Sequence, residues 1–335
     1  MRRFLSMIVF MTIVVLVVSA CGSASTPTQP PATQVPATEP PTEEIQPTET
    51  VEPDETSAPV TDTPLPAAQA DEPQFPNFDL ANFENSAIID NEWLPMKPGT
   101  KWAYEGTALD DQGNNVDRRI EFTVTDLTKE IEGVRTLVLW IEDFNNGEGT
   151  EKELSFYAQD KQGNIWYFGE HPEDFEDGAF VEAKTWIAGL ADAKPGIVLS
   201  GEPKLGMPNL YQGWGPEVGW SDFGRVEKMG LDICVPVSCY KDVLENAETS
   251  LSEVGAFQLK YYVRGVGEIK VGWSGNDETH EELQLVEFKQ LSPEEMDALR
   301  TQAVDLEKHA YEVSDVYKQT TPAEYADGTP VTTKP

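Results

Sequence analysis

The chain has 335 residues, with 59 Asp and Glu against 24 Lys and Arg, and its formal net charge is −35 at pH 7. Nucleic-acid binding requires a basic surface, so this charge argues against a nucleic-acid partner. The apolar fraction is 39%, or about 46% once the 25 Gly are added, which is ordinary for a globular protein. Part of the chain can therefore form a hydrophobic core.

The first 21 residues have the pattern of an export signal. Arg2 and Arg3 precede an apolar run over residues 4–20, as in the charged and apolar regions of a signal peptide. The run ends in Val18-Ser19-Ala20-Cys21. This motif resembles the lipobox of bacterial lipoproteins, which implies that Cys21 is lipidated and becomes the mature N-terminus. An uncleaved membrane anchor is the alternative, because these 17 residues approach the ~20 that span a bilayer.

A linker is predicted over residues 22–73. It carries ten acidic residues, twelve Pro and ten Thr, and it has no Lys or Arg. Such a composition buries too little apolar surface to offset the entropy of ordering the chain, so we expect disorder. Together with the lipid anchor, it would hold the remaining chain away from a cell membrane or outer membrane, on the extracytoplasmic side.

Residues 74–290 predict an antiparallel β domain. Runs of β-branched and aromatic residues alternate with turn residues; an example is the pair of runs 101–109 and 119–127 around Asp110-Asp111-Gln112-Gly113-Asn114-Asn115. About twelve such runs follow one another without helices between them. This pattern predicts a mainly β fold, in which a meander forms a curved sheet, a half-barrel or a sandwich.

One C-terminal helix is predicted within residues 291–318. Ser292, Pro293 and Glu295 form a capping-box pattern. Apolar residues then recur every three or four positions up to Tyr317, and this stripe predicts packing against the sheet. We expect residues 319–335 to form a flexible tail.

Two cysteines flank a predicted hairpin turn. Cys234 and Cys239 enclose Val-Pro-Val-Ser, and an exported protein would oxidise them if the hairpin brings them together. Two buried thiols are the alternative. The disulfide would brace the hairpin locally, and a redox function is not expected.

Three further segments resemble a pattern in uncharacterised exported bacterial β-sheet proteins, many of which are lipoproteins. They are the stretches 94–106, 235–240 and 261–270, each a turn with the start of a strand. The resemblance implies a fold and no activity. A looser likeness is to half-barrel lipoproteins that shuttle lipids.

Candidate functional residues are few. No nucleophile motif and no metal-ligand spacing is present, and we expect His171, His280 and His309 to lie on the surface. Acidic stretches such as 173–177 could bind Ca²⁺ or simply be solvated turns. Trp214 and Trp220, in a Gly-rich stretch, are the candidates for ligand binding, with core packing as the alternative. We expect no catalytic residue, metal or cofactor.

The leading hypothesis is a tethered lipoprotein whose β domain binds an envelope ligand or protein partner without catalysis. The first alternative is a secreted hydrolase of an extracellular polymer with a carboxylate pair. The second is a carrier of lipids or other apolar ligands, which would need a curved sheet around an apolar cavity.

Overall fold

The computed structural model describes residues 72–110, 112–325 and 328–331. Cys21 and nearly all of the predicted linker lie outside the described residues. The strands and the helix have these bounds: β1 Thr100–Leu109, β2 Asn115–Ile131, β3 Val134–Asn145, β4 Glu148–Gln159, β5 Ile165–Glu176, β6 Ala179–Ala183, β7 Trp186–Ile187, β8 Lys194–Leu199, β9 Leu210–Tyr211, β10 Gly213–Trp214, β11 Phe223–Val235, β12 Ser238–Thr249, β13 Ala256–Val263, β14 Gly267–Gly275, β15 Glu282–Gln290 and α1 Pro293–Val313.

All fifteen strands in the described part of the chain belong to one antiparallel sheet. Its order is β10-β8-β5-β4-β3-β2-β1-β15-β14-β13-β12-β11-β9, with β6 and β7 also paired to β5. Neighbours in this order are mostly consecutive in sequence, because short turns make antiparallel hairpins. The structure confirms the prediction of a mainly β fold with a curved antiparallel sheet and one C-terminal helix.

The strands at the two ends of this order are almost contiguous in sequence. Only Gln212 separates β9 from β10. Tyr211 pairs with Phe223 on β11, and Gly213 pairs with Pro195 on β8. Residues 210–214 therefore pair with strands near both ends of the sheet order, with β8 at one end and with β11 at the other.

Both faces of the central strands are buried. On β3, Leu137, Leu139 and Ile141 belong to one core, whereas Val138 and Trp140 belong to another. We call the face with Leu139 the inner face and the face with Trp140 the outer face. The continuous apolar run of this strand follows from burial on both sides.

Helix α1 covers part of the outer face. The Ser292 side chain accepts a hydrogen bond from the Glu295 backbone, and the Glu295 carboxylate accepts one from the Ser292 backbone, so the capping box is present. Leu299, Ala303 and Ala310 pack in the same core as strand residues of the outer face.

The C-terminal region differs from its prediction. The helix ends at Val313, and a 3-10 turn over Tyr317–Gln319 follows. Tyr317 and Ala323 are buried, and the backbones of Glu324 and Thr128 exchange hydrogen bonds. The predicted flexible tail is thus fixed against the sheet as far as residue 325, because its side chains and carbonyls have partners on β2 and α1.

Candidate functional site

A cluster of charged and tyrosine side chains lies on the inner face of the curved sheet. Register places it there: Glu153 pairs with Ile141, Tyr157 with Leu137, and Lys260 with Val271, all inner-face residues. We call it the inner polar cluster, and its members are Arg118, Asp143, Glu153, Tyr157, Tyr167, Glu170, Glu248, Lys260, Glu268 and Glu281.

One part of the cluster is organised by Arg118. Its guanidinium donates to Asp143 Oδ2 (2.9 Å), to Glu281 Oε1 (3.1 Å) and to Asn145 Oδ1 (2.9 Å). Gln258 on β13 donates to the second oxygen of Glu281 (2.8 Å). This part therefore links β2, β3 and β13.

A second part contains two tyrosines and their carboxylate partners. Tyr157 and Tyr167 are stacked, with ring centroids 4.6 Å apart. The Tyr167 hydroxyl donates to Glu170 Oε2 (2.5 Å), and Ser155 donates to Glu153. These side chains come from β4 and β5 alone.

Lys260 approaches this second part from the other side of the concavity. Its Nζ lies 3.1 Å from Glu248 Oε2. Burial raises the pKa of Tyr157, and Glu153 raises it further, whereas the charge of Lys260 lowers it. Five strands lie between β4 and β13 in the sheet order, so these side chains face one another because the sheet curves.

Two carboxyl groups of the cluster have raised pKa values. Loss of solvation is the main cause for Glu268; Lys260 opposes the shift, Glu248 and Glu281 add to it, and the pKa is about 7. Loss of solvation also raises the pKa of Asp143, against the effect of Arg118, to about 6. Such groups can exchange protons near neutral pH.

The cluster is acidic and partly open to solvent. Six carboxyl groups accompany only two cationic side chains, and the Lys260 side chain is 28% exposed. A concave surface with one dominant sign of charge concentrates ligands of the opposite sign.

The two predicted ligand-binding tryptophans do not form one surface. Trp220 lies beside the inner polar cluster, with its ring centroid 5.7 Å from that of Tyr167 and 5.0 Å from that of Trp186. Trp214 contacts Tyr211 and Phe75 instead. Both side chains pack against other aromatic rings.

The prediction of surface positions for the three histidines is wrong for His171. This side chain is fully buried, with Nδ1 2.7 Å from Thr185 Oγ1 and Nε2 3.0 Å from Glu173 Oε1. His309 on α1 contacts the same carboxylate through Nδ1 (2.7 Å). The sequence around residue 171 is polar, but the strand packs against α1, and this buries the imidazole.

His280 is exposed and stacks on Trp273 at 3.8 Å. Of the acidic stretch 173–177, Glu173 is buried against the two imidazoles, so this stretch is not simply a solvated turn. Within the described ranges, no three His, Cys, Asp or Glu side chains are arranged to hold a metal ion.

Cys234 and Cys239 form a disulfide across the β11–β12 hairpin. They are a cross-strand pair, and the turn between the strands is Pro236-Val237. The bond braces this hairpin at its tip, away from the residues of the inner polar cluster.

Sequence reasoning missed the inner polar cluster. Glu153, Ser155 and Tyr157 alternate with apolar residues on β4, and such alternation is typical of a strand with one face in water. The signal was present, but a solvated outer face and a polar concave face give the same pattern.

No protein-family model and no curated protein matches this sequence. A solved structure from Bacteroides fragilis, provisionally described as an exported protein with a YmcC-like fold, is 10% identical; the match covers 60% of this chain and 100% of that chain, with a TM-score of 0.32. A second solved structure, provisionally described as a lipoprotein from Parabacteroides distasonis, is 12% identical. The match covers 58% of this chain and 97% of that chain, with a TM-score of 0.28. At these values the two proteins give no information about what this chain binds or does.

In the part of the chain that the structure covers, no helix has the length and apolar character needed to cross a membrane.

Proposed function

We propose that this protein is a lipid-anchored extracytoplasmic lipoprotein whose β domain binds a polar, positively charged ligand on the concave face. The observation that carries the ligand proposal is the inner polar cluster, where side chains from distant strands converge around six carboxyl groups. The lipobox at Cys21 and the acidic linker support the location.

The chemistry of the cluster favours a cationic ligand over an apolar one. Carboxylates attract ammonium groups, and aromatic rings such as Tyr157 and Tyr167 add cation–π contacts. The apolar half of the inner face is occupied by the chain itself, because Trp93, Met96 and Trp102 are buried in the inner core. Because the chain's own side chains fill this apolar region, the packing supports a carrier of lipids or other apolar ligands less well.

The anchor is tested by the variant Cys21→Ala. Because lipid chains on this cysteine would hold the protein in the membrane, we expect the variant to move from the membrane fraction to the soluble fraction. The matched control is Ser23→Ala, which should stay in the membrane fraction. A Cys21→Ala protein that stays firmly embedded would contradict the anchor and favour a membrane-spanning segment.

The ligand class is tested with two probes that differ in charge. We expect the tetrasaccharide of glucosamine to bind and that of N-acetylglucosamine to bind at least tenfold more weakly, measured by calorimetry at pH 6. Glu170→Gln should weaken the first interaction, whereas Glu312→Gln, an exposed position on α1, should not. Equal binding of both probes, or of neither, would reject a cationic ligand.

Hydrolysis is a second candidate, favoured by one observation. The Glu268 carboxyl has a pKa of about 7 and interacts with Glu248 and Glu281, so it could hold a proton for a general acid while a neighbour is ionised. Release of reducing ends from the glucosamine tetrasaccharide, abolished by Glu268→Gln, would favour the hydrolase. Binding without product release would favour the binding protein.

A further inference from the structure

The concave face also carries a tryptophan that is not a member of the inner polar cluster. Trp273 lies on β14, two residues after Val271, whose side chain belongs to the inner core. Because side chains alternate along a strand, Trp273 faces the concavity as well. The residue is half-buried, so part of its indole ring is open to solvent.

Trp273 is a neighbour of the part of the cluster that Arg118 organises. Its cross-strand partner is Gln258 on β13, and the Cβ atoms of such a pair lie about 5 Å apart. The Gln258 amide donates to Glu281 Oε2 (2.8 Å), and Arg118 donates to the other oxygen of this carboxylate (3.1 Å). Only one side chain therefore separates the indole from the Glu281 carboxylate.

The imidazole of His280 covers one face of this indole. The two ring centroids are 3.8 Å apart and the ring planes differ by 7°, so the imidazole lies flat on the indole. His280 is itself exposed, and exposed side chains change rotamer within nanoseconds. Rotation of the His280 side chain would open this ring face to another occupant.

The backbone around His280 is held in an uncommon conformation. His280 has a φ of +46°, which side-chain-bearing residues seldom adopt. Asp277 Oδ1 accepts hydrogen bonds from the backbone N–H groups of Thr279 (2.8 Å) and His280 (3.3 Å), and the N–H of Leu109 donates to the Thr279 carbonyl (2.6 Å). Because these bonds fix the backbone, a rotation of the His280 side chain is enough to uncover Trp273.

We propose that Trp273 is a stacking platform for a sugar ring and that His280 occupies this platform in the free protein. The inference rests on the proposed function and narrows its ligand to a saccharide of amino sugars. The C–H face of one ring lies on the indole in place of the imidazole, since the negative face of an aromatic ring attracts polarised C–H groups. The ammonium group of the sugar pairs with Glu281. His280 competes for the platform and so lowers the affinity of the free protein.

Calorimetry at pH 6 with two cationic probes tests this proposal. For the tetrasaccharide of glucosamine, Trp273→Ala should weaken binding at least tenfold because the platform is lost. His280→Gly should tighten binding at least threefold because no side chain then competes, and glycine adopts a φ of this sign without strain. The two changes together should bind as weakly as Trp273→Ala alone, since the gain requires the indole.

The second probe is spermine, a linear tetraamine that has the charge but no ring face to stack. We expect each variant to change spermine binding by less than twofold, which also shows that the variants are folded. The matched control is Asn85→Gly, at an exposed residue with a φ of +55°. The adjacent Ser86 hydroxyl donates to the carbonyl of Arg135, near the opposite end of β2 from Arg118. This control should leave the binding of both probes unchanged.

Two results separate this inference from the proposed function. Tetrasaccharide binding that Trp273→Ala does not weaken, or that His280→Gly does not tighten, would overturn the stacking platform and leave the cationic site intact. A native protein that does not bind the tetrasaccharide would reject the proposed function and the platform together.

Discussion

The place of Glu268 in the concave face changes how its carboxyl group titrates. Its folded-state pKa of about 7 lies above the usual 4.5, so the folded protein binds this proton more tightly than the unfolded chain. The corresponding stability is fully present below about pH 4.5 and is lost as the pH rises through 7. The loss is on the order of 3 kcal/mol.

The variant Glu268→Gln removes this titration. We expect the variant to gain stability relative to the native protein as the pH rises from 4.5 to 8, because a neutral amide never has to ionise in the concave face. Urea unfolding at both pH values measures the difference. Glu312→Gln, exposed on α1, should show no such change. Parallel pH profiles for the native protein and Glu268→Gln would contradict the assigned titration.

Contacts between elements depend on a buried lysine of β2. The Lys129 side chain is completely buried, with Nζ 3.0 Å from Glu307 Oε1 on α1 and 2.6 Å from the carbonyl of Thr321. The ammonium also lies over the Tyr317 ring, 4.3 Å from its centroid. One charge thus joins the sheet, the helix and the segment after the helix.

Lys129→Met should destabilise the protein by about 3–5 kcal/mol, because it leaves the Glu307 carboxylate buried without its cation. Adding Glu307→Gln should recover part of this loss, since the uncompensated charge is then removed. Thermal unfolding measures both variants. Lys308→Met, an exposed neighbour, should change stability by less than about 0.5 kcal/mol. A Lys129→Met protein as stable as the Lys308→Met protein would mean that this buried ion pair does not hold the elements together.

The elements themselves were predictable from local sequence, whereas their contacts were not. Turn residues and alternation located the strands, and the Ser292 capping box located the start of α1, because these signals act within a few residues. Lys129 and His171 have ordinary polar neighbours in sequence. Each is buried against a partner more than 100 residues away, Glu307 for Lys129 and Tyr317 for His171. A local sequence pattern carries no information about contacts at such separations.

At the scale of the whole molecule, the curvature of the sheet decides which residues meet. The sequence predicts consecutive hairpins, but it allows a sandwich, a half-barrel or a curved sheet. The inner polar cluster exists only in a strongly curved sheet, because it joins β4 to β13. The short segment 210–214 has the sequence of a Gly-rich loop, but it pairs with β8 near one end of the sheet order and with β11 near the other. We expect this segment to maintain the curvature of the sheet.

Gly196 allows this contact. A Cβ at this position of β8 would overlap the backbone of Tyr211, Gln212 and Gly213, so Gly196→Ala must push residues 210–214 away from β8. We expect a loss of about 3 kcal/mol and faster amide hydrogen exchange in β8 and β11, while β2 and β3 stay protected. The control Gly149→Ala, whose Cβ would lie 3.7 Å from the Phe144 ring, should leave exchange in β8 and β11 unchanged. If Gly196→Ala accelerates exchange in β8 alone, residues 210–214 do not transmit strain between β8 and β11. The curvature would then be maintained by the inner core instead.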